Sequence, residues 1–317
     1  MVSSRIKKYL FLINPAAGSG KAADVWRLLQ TLLAKENVDY DFCFSKHPGH
    51  PRAIANDTGK QRKYGCLVVV GGDGTLHEVI DGLYQQAKQE KMMVAYIPAG
   101  TGNDFARGYG ISTDPRIALQ QVLKNDRPRE INIGCFQELN SGKHGIFLNN
   151  IGIGFDAAIV HATNHSRLKS FLNHHHLGTL SYIAKAIHMF FTQPTFQTII
   201  KDRTGVVTLS RTFLLITSNH PYIGGGIVLA PDAKIDHHEL ELVVVEKRNW
   251  WSLLAAMLMF ASGRLIYSRQ ARVIRSRKLE YQIGSPQDCQ LDGEEPGKMP
   301  YHLRLTCGSY PFWEKPL

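Results

Sequence analysis

The first 130 residues alternate between short apolar runs and stretches in which apolar residues recur at helical spacing. Four runs are typical of strands: Tyr9–Ile13, Tyr40–Phe44, Leu67–Val70 and Met93–Ile97. Helical spacing occurs in Ala22–Leu33, from Leu76 onwards and in Arg116–Leu123. Strands and helices that alternate through short turns predict an α/β domain, with a parallel sheet covered by helices on both faces.

The pattern changes after Arg129, where many short runs alternate apolar and polar residues. The predicted strands are Ile131–Gly134, Gly145–Ile153, Phe196–Lys201, Val206–Leu209, Phe213–Thr217, Leu240–Val245, Ala271–Ile274, Leu279–Ile283 and His302–Leu305. Helical spacing interrupts them at Leu180–Phe191 and Trp250–Gly263. We therefore predict a second, β-rich domain built as a mainly antiparallel sandwich, with residues 1–130 and 131–305 as the two domains.

Charge and cysteine content narrow the class of protein. The 317 residues carry 37 Lys and Arg against 27 Asp and Glu, a net charge of +10 that favours an anionic partner. Five cysteines without CxxC spacing fit a reducing cytoplasm. The apolar run Tyr9–Ile13 is too short for a signal peptide, and Trp250–Ala261 falls short of the ~20 residues that span a bilayer. The sequence predicts a cytoplasmic protein and leaves contact with a membrane surface open.

The stretch Val68–Ile80, VVVGGDGTLHEVI, joins a buried strand to a helix through three glycines and Asp73. Glycines let a ligand approach the backbone, and a helix N-terminus favours an anion. Asp73 would repel a phosphate unless a cation or a hydroxyl lies between them, so the turn suggests a nucleotide phosphate with a metal ion. The alternative is a tight turn in which Asp73 or Thr75 only caps the helix.

Two more loops of small residues follow strands in the same half. The first, Asn14–Ala22, differs from a Walker A motif because Pro15 and Ala22 occupy positions that need Gly and Ser or Thr, so phosphate contact and a plain turn both remain open. The second is Ile97–Ala106, with Asn103 and Asp104. Loops that end neighbouring parallel strands face one crevice at the edge of the sheet, which favours a nucleotide site.

Other motifs have competing interpretations. Gly152–Ala157 matches G-x-G-x-x-A, but no βαβ unit follows it, so close backbone packing is favoured. His174–His176 have no matching metal-ligand spacing and are interpreted as a solvated loop. Gln290–Pro296 carries Asp292, Glu294 and Glu295, and is either a general base or an exposed acidic turn. The apolar helix and basic segment of Trp250–Lys278 are interpreted as a core helix before a basic strand, with contact to an anionic membrane as the alternative.

Taken together, "NPAAGSGKA", "GGDGTLHEVIDGL" and "IPAGTGNDFAR" resemble the diacylglycerol-kinase catalytic-domain family. More narrowly, the chain is similar to the soluble bacterial lipid kinases of that family, which are diacylglycerol- or sphingosine-kinase-like. The resemblance covers nearly the whole chain and includes "NIGIGFDA", "LGTLSYIAKAI" and "LDGE".

The resemblance implies a nucleotide domain and a lipid-substrate domain with the active site between them, and residues from about 306 to 317 folding back onto the first domain. It implies that ATP with Mg²⁺ is the phosphate donor and that a lipid alcohol is the acceptor. The favoured acceptor is diacylglycerol or a related lipid. The implied phosphate contacts are Gly71, Gly72, Asp73, Gly74, Thr75, Leu76 and His77. Ser45 and Thr101 line the ATP site, and Asn14, Asn103 and Asp104 shape it. The implied catalytic residues are Glu294, which accepts the hydroxyl proton, and Asp73, which positions magnesium or the acceptor.

One segment departs from the family pattern. A structural magnesium site of the family would fall on Lys234, His237 and Glu239, and His237 replaces an Asp there, with Asp236 as its neighbour. The lost Asp favours one rival, a nucleotide-binding regulator without catalysis. The other rival is a NAD kinase that uses the same glycine turn. The predicted partner is the lipid alcohol and not a nucleic acid, whereas contact with the surface of an anionic membrane and with a second copy of the chain both stay open.

Overall fold

The computed structural model describes residues 8–36, 38–85, 91–124, 127–164, 188–235 and 237–313. The triplet His174–His176, the motif LGTLSYIAKAI and most of the predicted helix Leu180–Phe191 lie outside these ranges. Within them, no helix has the length and apolar character that crossing a bilayer requires.

Four parallel strands form the first part of the sheet. They are β1 (Tyr9–Ile13), β2 (Tyr40–Phe44), β3 (Cys66–Gly71) and β4 (Met93–Pro98). They lie side by side in the order β4-β3-β1-β2, and each neighbouring pair is parallel. Every residue of β1, β3 and β4 is buried, which explains why these strands read as continuous apolar runs.

Five helices connect and cover these strands. They are α1 (Lys21–Leu33), α2 (His50–Gln61), α3 (Asp73–Tyr84), α4 (Asp104–Tyr109) and α5 (Pro115–Lys124). Helix α1 packs against β1, β3 and α5, whereas α3 packs against β3, β4 and α2. Apolar spacing did not predict α2, because its buried face consists of Pro51, Ala55, Thr58 and Gly59. Small residues suit that face, since a Cβ on Gly82 of α3 would lie 2.4 Å from the Arg52 carbonyl oxygen.

The second half of the chain is rich in strands. They are β5 (Pro128–Glu138), β6 (His144–Phe147), β7 (Asn150–Gly154), β8 (Phe196–Lys201), β9 (Val206–Ser218), β10 (Tyr222–Ile223), β11 (Ile227–Val228), β12 (Leu240–Glu246), β13 (Ala271–Ser276), β14 (Lys278–Leu291) and β15 (Glu294–Trp313). Helices α6 (Phe155–Asn164) and α7 (Trp250–Ala261) interrupt them, and a 3₁₀ turn covers Leu265–Tyr267. The pairings of these strands with one another are antiparallel.

Three predictions in this half need correction. The predicted strand Gly145–Ile153 is two strands, because the amides between β6 and β7 bind a side chain instead of a neighbouring strand. The predicted strands Val206–Leu209 and Phe213–Thr217 are parts of the single strand β9. Helix α7 is not a core helix, because among its residues only Leu253 and Ala256 are buried.

The interpretation of Gly152 as a site of close packing is confirmed. A Cβ at Gly152 would lie 2.2 Å from the Oδ2 atom of Asp156 and 2.9 Å from the Nε2 atom of Gln290. Helix α6 begins within this motif, at Phe155, but β7 is antiparallel to both of its neighbours, β9 and β14, so the motif is not part of a βαβ unit.

The long strand β15 joins the two halves. It pairs with β14 and, from Leu303 to Trp313, with β5, and Phe312 pairs in parallel with Val94 of β4. Tyr310, Phe312 and Trp313 are buried in the core of the first half. One sheet therefore runs through both halves of the molecule.

Candidate active site

Four loops leave the carboxyl edge of the parallel strands side by side. In the strand register, Ile13 is opposite both Phe44 and Val70, and Val70 is opposite Ile97, so these strands end at the same level. The loops begin at Asn14, Ser45, Gly72 and Ala99. Every loop predicted to bind the nucleotide thus starts at one edge of the sheet, the usual place for ligands in open α/β sheets.

The turn between β3 and α3 is packed so closely that it requires glycine. A Cβ on Gly71 would lie 2.8 Å from Thr75 Oγ1, and one on Gly100 would lie 2.6 Å from the Cα of Gly72. Gly74 differs, because a Cβ there would meet nothing within 4 Å. The open side of this turn therefore faces away from the protein, at the first turn of α3, where amides lack helical partners.

This contrast gives a testable pair of substitutions. Gly100→Ala should lower the free energy of unfolding by about 1–3 kcal/mol, because the added methyl group forces two loops apart. Gly74→Ala should leave unfolding unchanged or raise its free energy by about 0.5–1 kcal/mol, because Ala favours a helix. Urea denaturation of both variants checks this, and an equal loss in both would contradict the packing described for the turn.

Two asparagines predicted to shape the nucleotide site make hydrogen bonds that hold its loops. The Nδ2 atom of Asn14 donates to the Thr75 Oγ1 atom at 2.9 Å. Asn103 has a φ of +54° and makes two hydrogen bonds with Gly100, one to the amide and one to the carbonyl, both at 3.0 Å. Asn14 thus ties the first loop to the glycine turn, whereas Asn103 fixes the conformation of its own loop.

Asp73 lies at the centre of this network. Its Oδ2 atom accepts a hydrogen bond from the Asp104 amide at 2.8 Å, and its Oδ1 atom is 3.4 Å from the Tyr96 hydroxyl. Burial, with the nearby charges of Asp104 and Asp292, raises the pKa of Asp73 to about 6. A carboxylate in such surroundings is stabilised by any cation that enters the site.

Tyr96 is a site residue that the sequence did not reveal. It is fully buried in β4, and its hydroxyl lies 3.2 Å from the Gly71 carbonyl oxygen and 3.3 Å from Asn103 Oδ1. Burial raises its pKa well above the usual value, so the hydroxyl stays protonated as a donor. An aromatic residue in an apolar strand gives no signal that distinguishes this role from packing.

The second half of the chain reaches the site through Asp292. Its carboxylate accepts hydrogen bonds from the amides of Leu148, Asn149 and Asn150 at 2.7–3.0 Å, and it lies 2.8 Å from His77 Nδ1. These amides are the ones that divide β6 from β7. The side chains of His77 and Asp292 are 6% and 1% exposed, so the pair is buried between the two halves.

His77 and Asp292 each shift the pKa of the other toward the charged form. Burial alone would lower the pKa of His77, but the hydrogen bond and charge of Asp292 outweigh it and raise that pKa. Burial would raise the pKa of Asp292, but His77 and the backbone amides bring it below its usual value. His77, predicted as a phosphate contact, is therefore the partner of a buried carboxylate 215 residues away.

The remaining predicted site residues differ in their exposure to solvent and so in their access to a ligand. Thr101 and Glu294 are exposed, and Glu294 lies two residues after Asp292, the partner of His77. Ser45 is 7% exposed. Leu76 is fully buried in the core and its amide donates to the Gly72 carbonyl, so neither group is free for a phosphate.

A glycine turn of the second half forms one wall of the crevice. The Gly225 amide, between β10 and β11, donates to Asp104 Oδ2 at 2.8 Å, and a Cβ on Gly102 would lie 3.9 Å from the Gly225 Cα atom. Arg107 donates to Asp104 Oδ1 at 3.1 Å and to the Gly102 carbonyl oxygen. The sequence did not predict this contact, because the turn follows no strand of the parallel sheet.

The family's structural magnesium site does not fit the residues present. The Lys234 carbonyl oxygen accepts the His237 amide at 3.1 Å, and the Glu239 carbonyl oxygen accepts Asn132 Nδ2 at 3.2 Å. The side chains of all three predicted positions are exposed, and Asp236 lies outside the described residues. Among the residues described, no group of three or more His, Cys, Asp or Glu side chains could hold a metal ion.

Comparison with known proteins identifies the two halves. Residues 8–136 match the diacylglycerol kinase catalytic domain, and residues 149–310 match the YegS C-terminal NAD kinase beta sandwich-like domain. These matches confirm the predicted two-domain architecture with a strand-rich second part.

Whole-chain relatives agree with these matches. YtlR of Bacillus subtilis (strain 168) is 28% identical over 300 residues, covering 93% of this chain and 96% of that protein. The diacylglycerol kinase of the same strain is 27% identical over 299 residues, covering 93% and 92%. The crystal structure of a diacylglycerol kinase from Bacillus anthracis (strain Sterne) has the same fold, with a TM-score of 0.72 over 99% of both chains at 19% identity. The chain thus belongs to the diacylglycerol kinase catalytic-domain family, in the form that carries a YegS-type C-terminal domain.

Proposed function

We propose that the chain is a lipid kinase that transfers the γ-phosphate of ATP to the hydroxyl of a lipid alcohol, with diacylglycerol as the first acceptor to test. The observation that carries the proposal is the crevice in which the glycine turn and Asp73 of the kinase domain meet the Asp292–Glu294 turn of the second domain. Family membership supports the reaction class.

The glycine turn supplies a place for the phosphates of ATP. The first turn of α3 presents the amides of Asp73 and Gly74 and the positive end of the helix dipole, both of which favour an anion, whereas the Thr75 amide donates to the Gly72 carbonyl at 3.0 Å. The space beside Gly74 lets phosphate oxygens reach these amides. Affinity for ATP should therefore fall in Gly74→Ala although its fold is kept, which isothermal titration can measure.

Asp73 supplies a carboxylate that would hold the cation bound with ATP or orient the incoming hydroxyl. Phosphoryl transfer depends mainly on positioning and on neutralising charge, and Mg²⁺ bound with ATP would supply part of that neutralisation. The Asp73 carboxylate is held by the Asp104 amide and the Tyr96 hydroxyl, so it can orient the incoming hydroxyl or the cation of the nucleotide without moving.

The second domain supplies the proton acceptor and space for an apolar chain. Glu294 is exposed at the start of β15, two residues from buried Asp292. A cavity of about 450 Å³ lies beside this turn. Its apolar lining includes Phe136, Ile151, Leu291, Met299 and Leu303. An apolar cavity next to a carboxylate suits a molecule with a hydroxyl at the end of a hydrocarbon chain.

Replacing the proton acceptor should slow the reaction and leave the protein folded. For Glu294→Gln we expect kcat to fall about 10²–10⁴-fold, the usual worth of general-base catalysis. The matched control is Glu295→Gln, which removes the neighbouring carboxylate, 2.6 Å from His161 Nδ1. A fall of less than about tenfold for Glu294→Gln in steady-state assays would exclude the general-base role.

The decisive assay is phosphate transfer from radiolabelled ATP to a panel of lipids in mixed micelles, with and without Mg²⁺. Diacylglycerol, a polyprenol and a long-chain base should be compared, and NAD is the soluble control acceptor. Magnesium-dependent label in a lipid supports the proposal and names the acceptor. Label on NAD alone would favour the NAD kinase alternative, and bound ATP without any transfer would favour a regulator.

A further inference from the structure

Helix α7 carries an apolar face that the described residues leave uncovered. Eleven of its twelve residues are apolar, but Leu253 and Ala256 alone are buried. Trp251, Leu254 and Leu258 recur at i, i+3 and i+7 and so form one stripe along the helix. Trp251 is 80% and Leu258 64% exposed, and Tyr267 of the following turn is 70% exposed. An apolar surface of this extent on a soluble domain marks an interaction site.

The segment that contains this stripe is basic and has no acidic residue. Between Glu246 and Glu280 the chain has eight Lys and Arg residues and no Asp or Glu. Arg264, Arg269 and Arg272 are exposed beyond the C-terminal end of α7, and Lys247 Nζ lies 3.1 Å from the ring centre of Trp250 at its start. Arg275 is excluded from this group because Glu241 and Asp232 pair with it.

Exposed apolar residues next to basic ones favour an anionic lipid bilayer as the partner. Helix α7 itself has no charged residue, but exposed Trp and Leu side chains flanked by Arg and Lys suit the interface of an anionic bilayer, where the apolar residues enter the headgroup region and the basic ones meet lipid phosphates. A symmetric contact between two copies through the same face would bring like charges together, which disfavours dimerisation there.

The helix is connected to the crevice by a short route through the structure. A Cβ on Gly263, just beyond α7, would lie 3.2 Å from Val228 Cβ in β11. Strand β11 pairs with β10, and the turn between them contains Gly225, whose amide binds Asp104 in the crevice. The hairpin that forms a wall of the crevice therefore also supports the helix.

We propose that the α7 face, which we define as Trp250, Trp251, Leu254, Leu258 and Tyr267 with Arg264, Arg269 and Arg272, docks the protein on an anionic lipid bilayer. The helix lies in the plane of the interface, with its aromatic residues among the headgroups, and the three arginines that follow it contact lipid phosphates. The inference rests on the proposed function in one respect: it takes the phosphate acceptor that binds in the crevice to be a lipid of that bilayer.

The test is co-sedimentation of the full chain with vesicles of phosphatidylglycerol and phosphatidylcholine, compared with vesicles of phosphatidylcholine alone. The double variant Trp251→Glu/Leu258→Glu should bind the mixed vesicles at least tenfold more weakly. Arg269→Glu/Arg272→Glu should lose at least fivefold for each charge, because one basic residue near an anionic surface contributes about fivefold. The latter loss should vanish on phosphatidylcholine.

Matched controls separate docking from folding. Ile117→Glu places the same charge on an apolar residue of α5 that is 50% exposed, and it should bind vesicles like the wild type. All variants should keep the wild-type melting temperature and affinity for ATP. Wild-type binding that does not depend on phosphatidylglycerol, or unchanged binding of Trp251→Glu/Leu258→Glu, would overturn the inference. So would sedimentation equilibrium showing a dimer that this double variant dissociates.

The two proposals fail in different ways. Vesicle binding requires no turnover, so bound protein that phosphorylates no lipid would contradict the proposed function only. Transfer of phosphate to micellar lipid by a protein that ignores anionic vesicles would contradict the docking face only. In micelles of a short-chain diacylglycerol, Trp251→Glu/Leu258→Glu should keep the wild-type kcat.

Discussion

Replacing Asp73 by Asn should abolish phosphate transfer, with kcat at least 10³-fold below the wild type, while the fold is kept. The amide side chain has the same shape and can still accept the hydrogen bond that Asp104 donates at 2.8 Å. What it loses is the negative charge that orients the acceptor or the cation of the nucleotide. Steady-state kinetics with saturating lipid and ATP measure this effect, and normal kcat in Asp73→Asn would refute the role proposed for the residue.

The same substitution should stabilise the protein at neutral pH. Asp73 is half-buried and has its pKa raised from 3.8 to about 6, so above pH 6 the native state carries a partly desolvated charge that the unfolded state carries in water. Asp73→Asn should then raise the free energy of unfolding by on the order of 2–3 kcal/mol at pH 8, and the gain should vanish below about pH 3.8, where both states are protonated. Asp57→Asn, at an exposed position of α2, is the control and should change neither activity nor stability.

Asp292→Ala should have the largest effect on stability. It leaves a buried histidine without its 2.8 Å partner and three backbone amides without an acceptor. Breaking a buried pair from one side costs about 3–5 kcal/mol, and we expect urea denaturation to show a loss of that size. Asp24→Ala removes a surface pair, between side chains that are 72–75% exposed, and should cost less than about 1 kcal/mol.

The pH dependence of this loss identifies its cause. The pKa of Asp292 is lowered, so its contribution to stability is present above about pH 3.8 and is lost as the pH falls through its native pKa. The pKa of His77 is raised, so its contribution is present below about pH 6.5 and is lost as the pH rises through its native pKa. The difference between wild type and Asp292→Ala should therefore be greatest between about pH 4 and 6.5. A difference that is constant from pH 3 to 9 would mean that packing, not the ion pair, is responsible.

Much of the first domain follows from its sequence. Buried parallel strands leave continuous apolar runs, and the bounds of β1 and β2 are the predicted ones. The loops of small residues at Asn14, Gly71 and Gly100 also mark the crevice, because close backbone packing restricts those positions to small side chains or glycine. Local spacing carries this information, so one sequence is enough to predict it.

What local spacing cannot predict is contact between distant positions. The sequence around Asp292 is typical of an exposed acidic turn, yet the side chain of Asp292 is buried against His77. The position of Tyr96 in an apolar strand predicts a core aromatic residue, yet its hydroxyl lies within hydrogen-bond distance of oxygen atoms of Gly71, Asp73 and Asn103. The almost wholly apolar sequence of α7 is typical of a core helix, and only the structure reveals that half of its twelve residues are exposed.

The position of β15 has a consequence for synthesis of the chain on the ribosome. Strand β4, apolar and buried in the complete protein, has β15 as its neighbour on one side, through Phe312 and Val94. Until residue 313 has been made, that side of β4 is an open edge of the nascent sheet. Unpaired apolar edges recruit other chains, so the kinase domain is exposed to aggregation during translation although it is encoded first. Chaperones that bind extended apolar segments should therefore capture this protein during translation, and lose it once the last strand is in place.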